Sequence, residues 1–175
     1  NRTLTSETLE EACWYGAPGE SHRKRLLETM TICRDALGSH HLPKNDRGTY
    51  TISDAVRTDV ELFDWHVAQV PDQEPAEAIE SYRCALDLVT GRPFSYPRKD
   101  RRTFGWVDFE HQASTWDNRV GGVAQAFAEL CLDHDQPDVA ETTLRRLLQA
   151  SPLNDGAVAA LMRVHIATGD RSAAD

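Results

Sequence analysis

Apolar positions recur at three- and four-residue spacing along most of this chain. The longest stripe is Trp106, Phe109, Ala113, Trp116, Val120, Val123, Phe127 and Leu130. Such a stripe predicts one helix of about 25 residues with a single apolar face, and Gly121-Gly122 is a place for it to bend. Upstream, Leu26, Met30, Cys33 and Leu37 mark one face of a helix from about Glu20 to Leu37, closed by Gly38. Thr5 or Ser6 can cap a shorter helix ending near Trp14, with Glu7, Glu10 and Glu11 near its positive end. Thr3 to Ser6 lead straight into that helix, and Tyr15 to Gly19 form a turn cluster. Leu42 to Gly48 reads as a strand end and turn, and Thr49 to Ser53 alternates as a strand should. Helix, turn, helix and hairpin is the order of the second half of a winged helix.

From Thr58 onward only helices are expected. Thr58-Asp-Val-Glu61 is a capping box, followed by Leu62, Phe63, His66, Val67 and Val70 at helical spacing, until Pro71 stops the run. Pro75 suits a first helical turn, Ile79, Tyr82, Leu86 and Val89 form the next stripe, and Thr90-Gly91 ends it. Residues 91–104 read as a loop carrying the basic run Arg98-Lys99-Asp100-Arg101-Arg102. Further on, Pro137 opens a helix with Leu144, Leu147 and Leu148 on one face, with Asp133-His134-Asp135 as the preceding corner and a capping Asp. Pro152 separates it from a helix bearing Val158, Leu161 and Val164. Leu130, Leu132 and Ala140 recur as Val164, Ile166 and Ala174, each 34 residues later. That is the period of tetratricopeptide-like helix pairs. The expected fold is mainly α: a helical-repeat domain over 58–175, preceded over 1–57 by a partial winged helix with one small β-hairpin.

Charge makes the same division. Residues 1–57 hold eight acids and eight bases, so the surplus of 28 acids over 19 bases lies entirely in 58–175. A net charge of −9 argues against nonspecific polyanion binding by the whole chain, though not against a local DNA-reading surface. No apolar run approaches the roughly 20 residues of a membrane span, and no signal-peptide pattern opens the chain, so a cytoplasmic protein is expected. The start at Asn1 and the stop at Asp175, a few residues into another helix signal, suggest a piece of a longer protein.

Catalytic chemistry finds little support. There is no Gly-rich phosphate loop, H-E-x-x-H or G-x-S-x-G. Cys13, Cys33, Cys84 and Cys131 lack C-x-x-C spacing and are expected as reduced, buried small hydrophobes. His40-His41 reads as a solvated turn rather than a metal site, and His66, near an apolar face, as an interior histidine. Asp108 and Glu110 diverge on a helix and cannot act as an acid pair. Neither a cofactor, a metal nor an enzymatic activity is expected.

In their order, these pieces resemble a known family. Residues 3–57 are similar to the C-terminal half of the OmpR-type winged helix in actinobacterial antibiotic-regulatory proteins, through Thr5 to Trp14, Cys33-Arg-Asp-Ala-Leu-Gly38, Leu42-Pro43 and Gly48-Thr-Tyr50. Residues 58–175 resemble the bacterial transcriptional activator domain that follows it there. Thr58 to Phe63, Ala85-Leu86, Gly91-Arg-Pro-Phe94, Trp106, Leu161-Met-Arg163 and Gly169-Asp170 carry that likeness. The resemblance implies a transcriptional regulator, with residues 20–37 as recognition helix and 42–53 as wing. Promoter DNA would then meet His22, Arg23, Lys24, Arg25, Thr29 and Arg47. The helical-repeat groove would take a protein partner or a second copy.

The residues leave other readings open. Glu28, Ile32 and Asp35 share the outward face of the 20–37 helix, and an acid beside phosphate is repelled. A protein-interaction module whose winged helix no longer binds DNA is therefore the alternative. Arg98, Lys99, Arg101 and Arg102, near Phe94, Tyr96 and Phe104, form a possible anion or partner site, or else a solvated loop. A small-molecule or phosphate sensor would be built there.

Overall fold

The computed structural model describes residues 2–14, 20–91 and 109–169. The described residues divide into two compact units, one within residues 2–57 and the other within 58–91 and 109–169. Mainly helical, the structure carries one two-stranded antiparallel sheet, so the expected fold class holds.

In the first unit, strand β1 (Thr3–Thr5) leads into helix α1 (Ser6–Cys13), followed by α2 (Glu20–Leu37) and β2 (Thr49–Thr51). Thr5 caps α1, its hydroxyl accepting the Thr8 N–H at 3.1 Å. Where the pattern predicts only a lead-in to α1, Thr3–Thr5 is a strand paired with β2 in the register Thr3–Thr51, Leu4–Tyr50 and Thr5–Thr49. The hairpin expected within 42–53 shrinks to a single bridge between Asp46 and Thr49, closed by N–H to C=O bonds of 3.0 and 2.8 Å. Arg47 and Gly48 make the two-residue turn, both with positive φ (47° and 82°), which is how a tight hairpin turn matches strand twist. Gly48 C=O accepts from the Ser6 amide and hydroxyl, tying the turn to the start of α1. Thr3-Leu4-Thr5 alternates over three residues only, too few to give a strand signal of its own. Its pairing comes from backbone groups that need a partner.

The predicted inward face of α2 is only partly buried. Leu26 is enclosed, Met30 and Cys33 are half-buried, and Leu37 is exposed, as are Leu27 and Ile32. The reason is length. Helix α1, which packs on α2, has eight residues and spans about 12 Å, against about 27 Å for the eighteen of α2.

The second unit comprises α3 (Asp59–Gln69), a 3-10 turn (Val70–Asp72), α4 (Pro75–Asp87), α5 (Phe109–Asp133), α6 (Pro137–Ala150) and α7 (Asp155–Thr168). The Thr58/Glu61 capping box is present in both directions. Pro75 and Pro137 each occupy a first turn. Asp135 does not cap α6: it takes a left-handed φ of 55° at the end of α5, and Gln136 stands at the N-cap position. Along α5, Ala113, Val120, Val123 and Phe127 are buried as the stripe requires, and Trp116 is half-buried. Val120, Val123 and Phe127 form one core with Phe63, Leu86, Leu144, Leu147 and Val164, and Trp116 packs against it.

Gly121-Gly122 makes no break in α5. Gly121 is where α5 crosses α7. A Cβ on Gly156 would lie 2.5 Å from the Gly121 Cα, and a Cβ on Gly121 would lie 3.0 Å from the Gly156 Cα. Beside the crossing, Asn154 is 1% exposed. Its Oδ1 accepts the Ala157 N–H at 2.9 Å and its Nδ2 donates to the Asp117 C=O at 2.8 Å, so one buried amide caps α7 and ties it to α5. Ion pairs span neighbouring helices outside the core: Arg119 with Asp64, Arg146 with Asp87, and Arg163 with Glu129.

Two further expectations change. Only Cys131 is buried, the other three cysteines being half-buried. The interior histidine is His165, at 2% exposure, rather than His66, which is half-buried beside Trp65.

Candidate functional site

The basic start of α2 is the first candidate. Arg23, Lys24, Arg25 and Thr29 are exposed. Successive residues on a helix diverge by about 100°, so the three cations fan around the axis instead of sharing one face. Arg25 and Thr29 do share a face, and Glu28 and Ile32 (69% exposed) continue it. His22 turns back: its ring stacks on Trp14 with centroids 6.0 Å apart and planes at 22°, and its Nδ1 is shielded from solvent. Arg47 is exposed in the Asp46–Thr49 turn, held by backbone geometry. The remaining basic candidates, Arg98, Lys99, Arg101 and Arg102, and Trp106 of the α5 stripe, lie outside the described residues.

The second candidate carries no catalytic or binding motif in the sequence. A cleft of about 440 Å³ opens between α5 and the start of α7. Gly121, Gly122 and Gly156 line it together with Ser114, Asp117, Asn118, Gln125, Leu153 and Asp155. The crossing contact creates it: the helix backbones approach so closely at Gly121 and Gly156 that no side chain fills the neighbouring space. Gly122 points into the open, since a Cβ there would meet nothing within 4 Å. The lining holds two carboxylates and no cation, and Leu153 stands 83% exposed at the rim. One signal was available in the sequence: Gly122 and Gly156 are 34 residues apart, in the repeat period.

Cys13, Cys84 and Cys131 are not activated nucleophiles. Burial pushes Cys13, Cys84 and Cys131 up, the last to about 11, so each remains a protonated thiol at neutral pH. The Arg83 hydrogen bond holds the Glu80 carboxyl below its ordinary range in an exposed pair on α4. Among the described residues, no group of three or more His, Cys, Asp or Glu is placed to hold a metal, and no helix is long and apolar enough to cross a membrane.

The helix order, the Thr58 box and the 34-residue period all belong to the second unit, and it is there that the chain matches a known family. Residues 58–174 match the model of the bacterial transcriptional activator domain. The chain belongs to that family. No curated protein matches it. The match begins at Thr58, the cap of α3, and runs past Gly169, the left-handed residue that closes α7. The α5–α7 cleft thus lies wholly inside the activator domain, and the basic start of α2 lies outside the matched residues.

Proposed function

We propose that this chain is part of a transcriptional regulator. Residues 58–175 form its helical-repeat domain, which makes protein–protein contact or mediates dimerisation. Residues 1–57 form a partial winged helix that contacts DNA, and no catalytic step belongs to either part. The family match over 58–174 carries the regulatory reading. The DNA-contacting role is supported by the exposed cations Arg23, Lys24 and Arg25 at the start of α2 and by Arg47 in its tight turn. Amides and cations at a helix start suit phosphate, and a two-residue turn presents Arg47 as a wing tip would.

A second reading is favoured by one observation. Glu28 and Ile32 continue the face that Arg25 and Thr29 begin, and Asp35 is exposed one turn further on. An acid there repels phosphate, and an exposed Ile suits a protein surface better than a DNA backbone. On that reading the first unit is an interaction module and the regulator reads DNA elsewhere or not at all.

A salt titration of binding to a mixed promoter library, with wild type and an Arg23→Ala/Lys24→Ala/Arg25→Ala variant, separates the two. DNA contact predicts a steep loss of affinity with salt. The log–log slope should fall by about one for each phosphate-contacting cation removed. Equal, salt-insensitive binding by both proteins, or none at low salt, sinks the DNA role and leaves the interaction module.

A further inference from the structure

We propose that Cys13 and Cys33 form a two-thiol site that a hydroperoxide converts to a disulfide, fastening α1 to α2. The site is independent of whether the first unit contacts DNA or a protein.

Both cysteines lie on the packed sides of their helices. Glu10 is the buried residue of α1, and Cys13 follows it three positions later on the same face. On α2, His22, Leu26, Met30 and Cys33 follow at spacings of four, four and three, so they too share a face. Leu26 is enclosed and the other three are half-buried. This face meets α1, since His22 stacks on Trp14, the residue beside Cys13. Cys33 is close enough that its thiolate charge, after burial, is the second cause raising the Cys13 pKa. Both are free, half-buried thiols, open enough for a small oxidant to reach. The other two cysteines sit differently: Cys84 donates to Glu80 at 3.4 Å on α4, and Cys131 is enclosed in the core of the second unit.

Helix α1 gains from such a bond. None of its apolar side chains is enclosed. Its start is held by the Thr5 cap and by the Ser6 amide and hydroxyl, which donate to the Gly48 carbonyl at 2.7 and 2.8 Å. A Cys13–Cys33 bond fixes its other end. It also closes a loop of 21 residues, and a crosslink of that length restricts the unfolded chain.

The order of events follows from the two thiols. Burial, and then the Cys33 charge, keep Cys13 protonated, so Cys33 meets the oxidant first. The Cys33 thiolate attacks one peroxide oxygen, the O–O bond breaks, and the departing hydroxide takes a proton from solvent to become water. The Cys13 sulfur then attacks the Cys33 sulfenic acid. An S–S bond forms, the S–O bond breaks, and the leaving hydroxide carries off the Cys13 proton as a second water. Two thiols lose two electrons and the peroxide gains them. A dithiol reductant reverses the bond by exchange.

The test oxidises the full chain with hydrogen peroxide at neutral pH and maps tryptic peptides without reductant by mass spectrometry. Cleavage places Cys13 on Thr3–Arg23 and Cys33 on Leu26–Arg34. These peptides should appear joined, lighter than their sum by two hydrogens, and should separate with dithiothreitol. In Cys13→Ser, Cys33 should run on to sulfinic acid, the fate of a sulfenic acid with no resolving thiol. Cys84→Ser/Cys131→Ala should keep the joined pair. Hydrogen exchange of the α1 amides should slow by at least about tenfold in the oxidised protein and recover on reduction. Equal sulfinic acid on Cys33 in wild type and Cys13→Ser, with no joined pair, would overturn the proposal. So would joining to Cys84, to Cys131 or between two chains, an unreacted Cys33, or unchanged α1 exchange in the joined protein.

Discussion

Adding one methyl group at Gly156 should push α7 away from α5 at their crossing. A Cβ there lies 2.5 Å from the Gly121 Cα, 2.8 Å from its carbonyl carbon and 3.0 Å from its oxygen. All three are backbone atoms, so no rotamer change relieves the clash. Carbon atoms rest about 3.5–4.0 Å apart, so α7 must retreat from α5 by about 1 Å. Overpacking of that kind costs about 1–3 kcal/mol. The shift also strains the Asn154 bonds to Ala157 and Asp117, worth about another 1 kcal/mol. The better helix propensity of Ala returns little, because Gly156 is only the second residue of α7. The net loss for Gly156→Ala is about 2–4 kcal/mol, or a fall in melting temperature of about 8–16 °C for a domain of this size. Gly122→Ala is the internal control: next to the crossing but open, mid-helix, it should gain up to about 1 kcal/mol. Urea unfolding followed by circular dichroism at 222 nm measures all three proteins. If Gly156→Ala is as stable as wild type, or Gly122→Ala loses as much as Gly156→Ala, the close crossing is wrong.

Three other outcomes follow from the same core. Asn154→Ala should cost about 2–3 kcal/mol in urea unfolding, since it removes a cap and leaves the Asp117 carbonyl without its donor. Phe127→Ala, at a fully enclosed site, should cost about 3–5 kcal/mol, whereas Trp116→Ala should cost less, about 1–3 kcal/mol. Trp116 is half-buried and packs by one edge on Phe63, with centroids 5.7 Å apart, so an equal or larger loss than at Phe127 would contradict its placement. The Cys131 thiol, raised from 9.0 to about 11 by burial, stays protonated in the fold after it has ionised in the unfolded chain. Its contribution is thus fully present below pH 9 and is lost as pH rises toward 11, at up to about 1.4 kcal/mol per pH unit. Denaturation midpoints between pH 7 and 10 should fall more steeply in wild type than in Cys131→Ala, and parallel slopes would rule this out.

The helices were legible because their signals are local. The Thr58 capping box, Pro75 and Pro137 in first turns, and Gly38 with φ of 89° each act within a few residues of themselves. The α5 stripe was legible for a related reason: a 3-4 repeat forces one face whatever covers it. How completely a face is covered is a different matter. Leu26 and Leu37 lie on the same predicted face of α2, yet one is enclosed and the other exposed, because an eight-residue helix cannot span an eighteen-residue one.

The candidate sites divide in the same way. Cations at 23–25 and the turn at Arg47-Gly48 can be read from residue types alone, but the stacking of His22 on Trp14 needs two helices to meet. The cleft was hidden because its parts, Gly121, Gly122, Leu153 and Gly156, are separated by more than thirty residues and contribute mostly absent side chains. Hydrophobic periodicity by itself determined that this chain builds paired helices with apolar faces, since that pattern expresses the geometry of one helix at a time. Tertiary structure alone decided that β1 pairs with β2 across 43 intervening residues and that two glycines meet where α5 crosses α7, because backbone pairing and close approach depend on what a distant segment leaves unfilled.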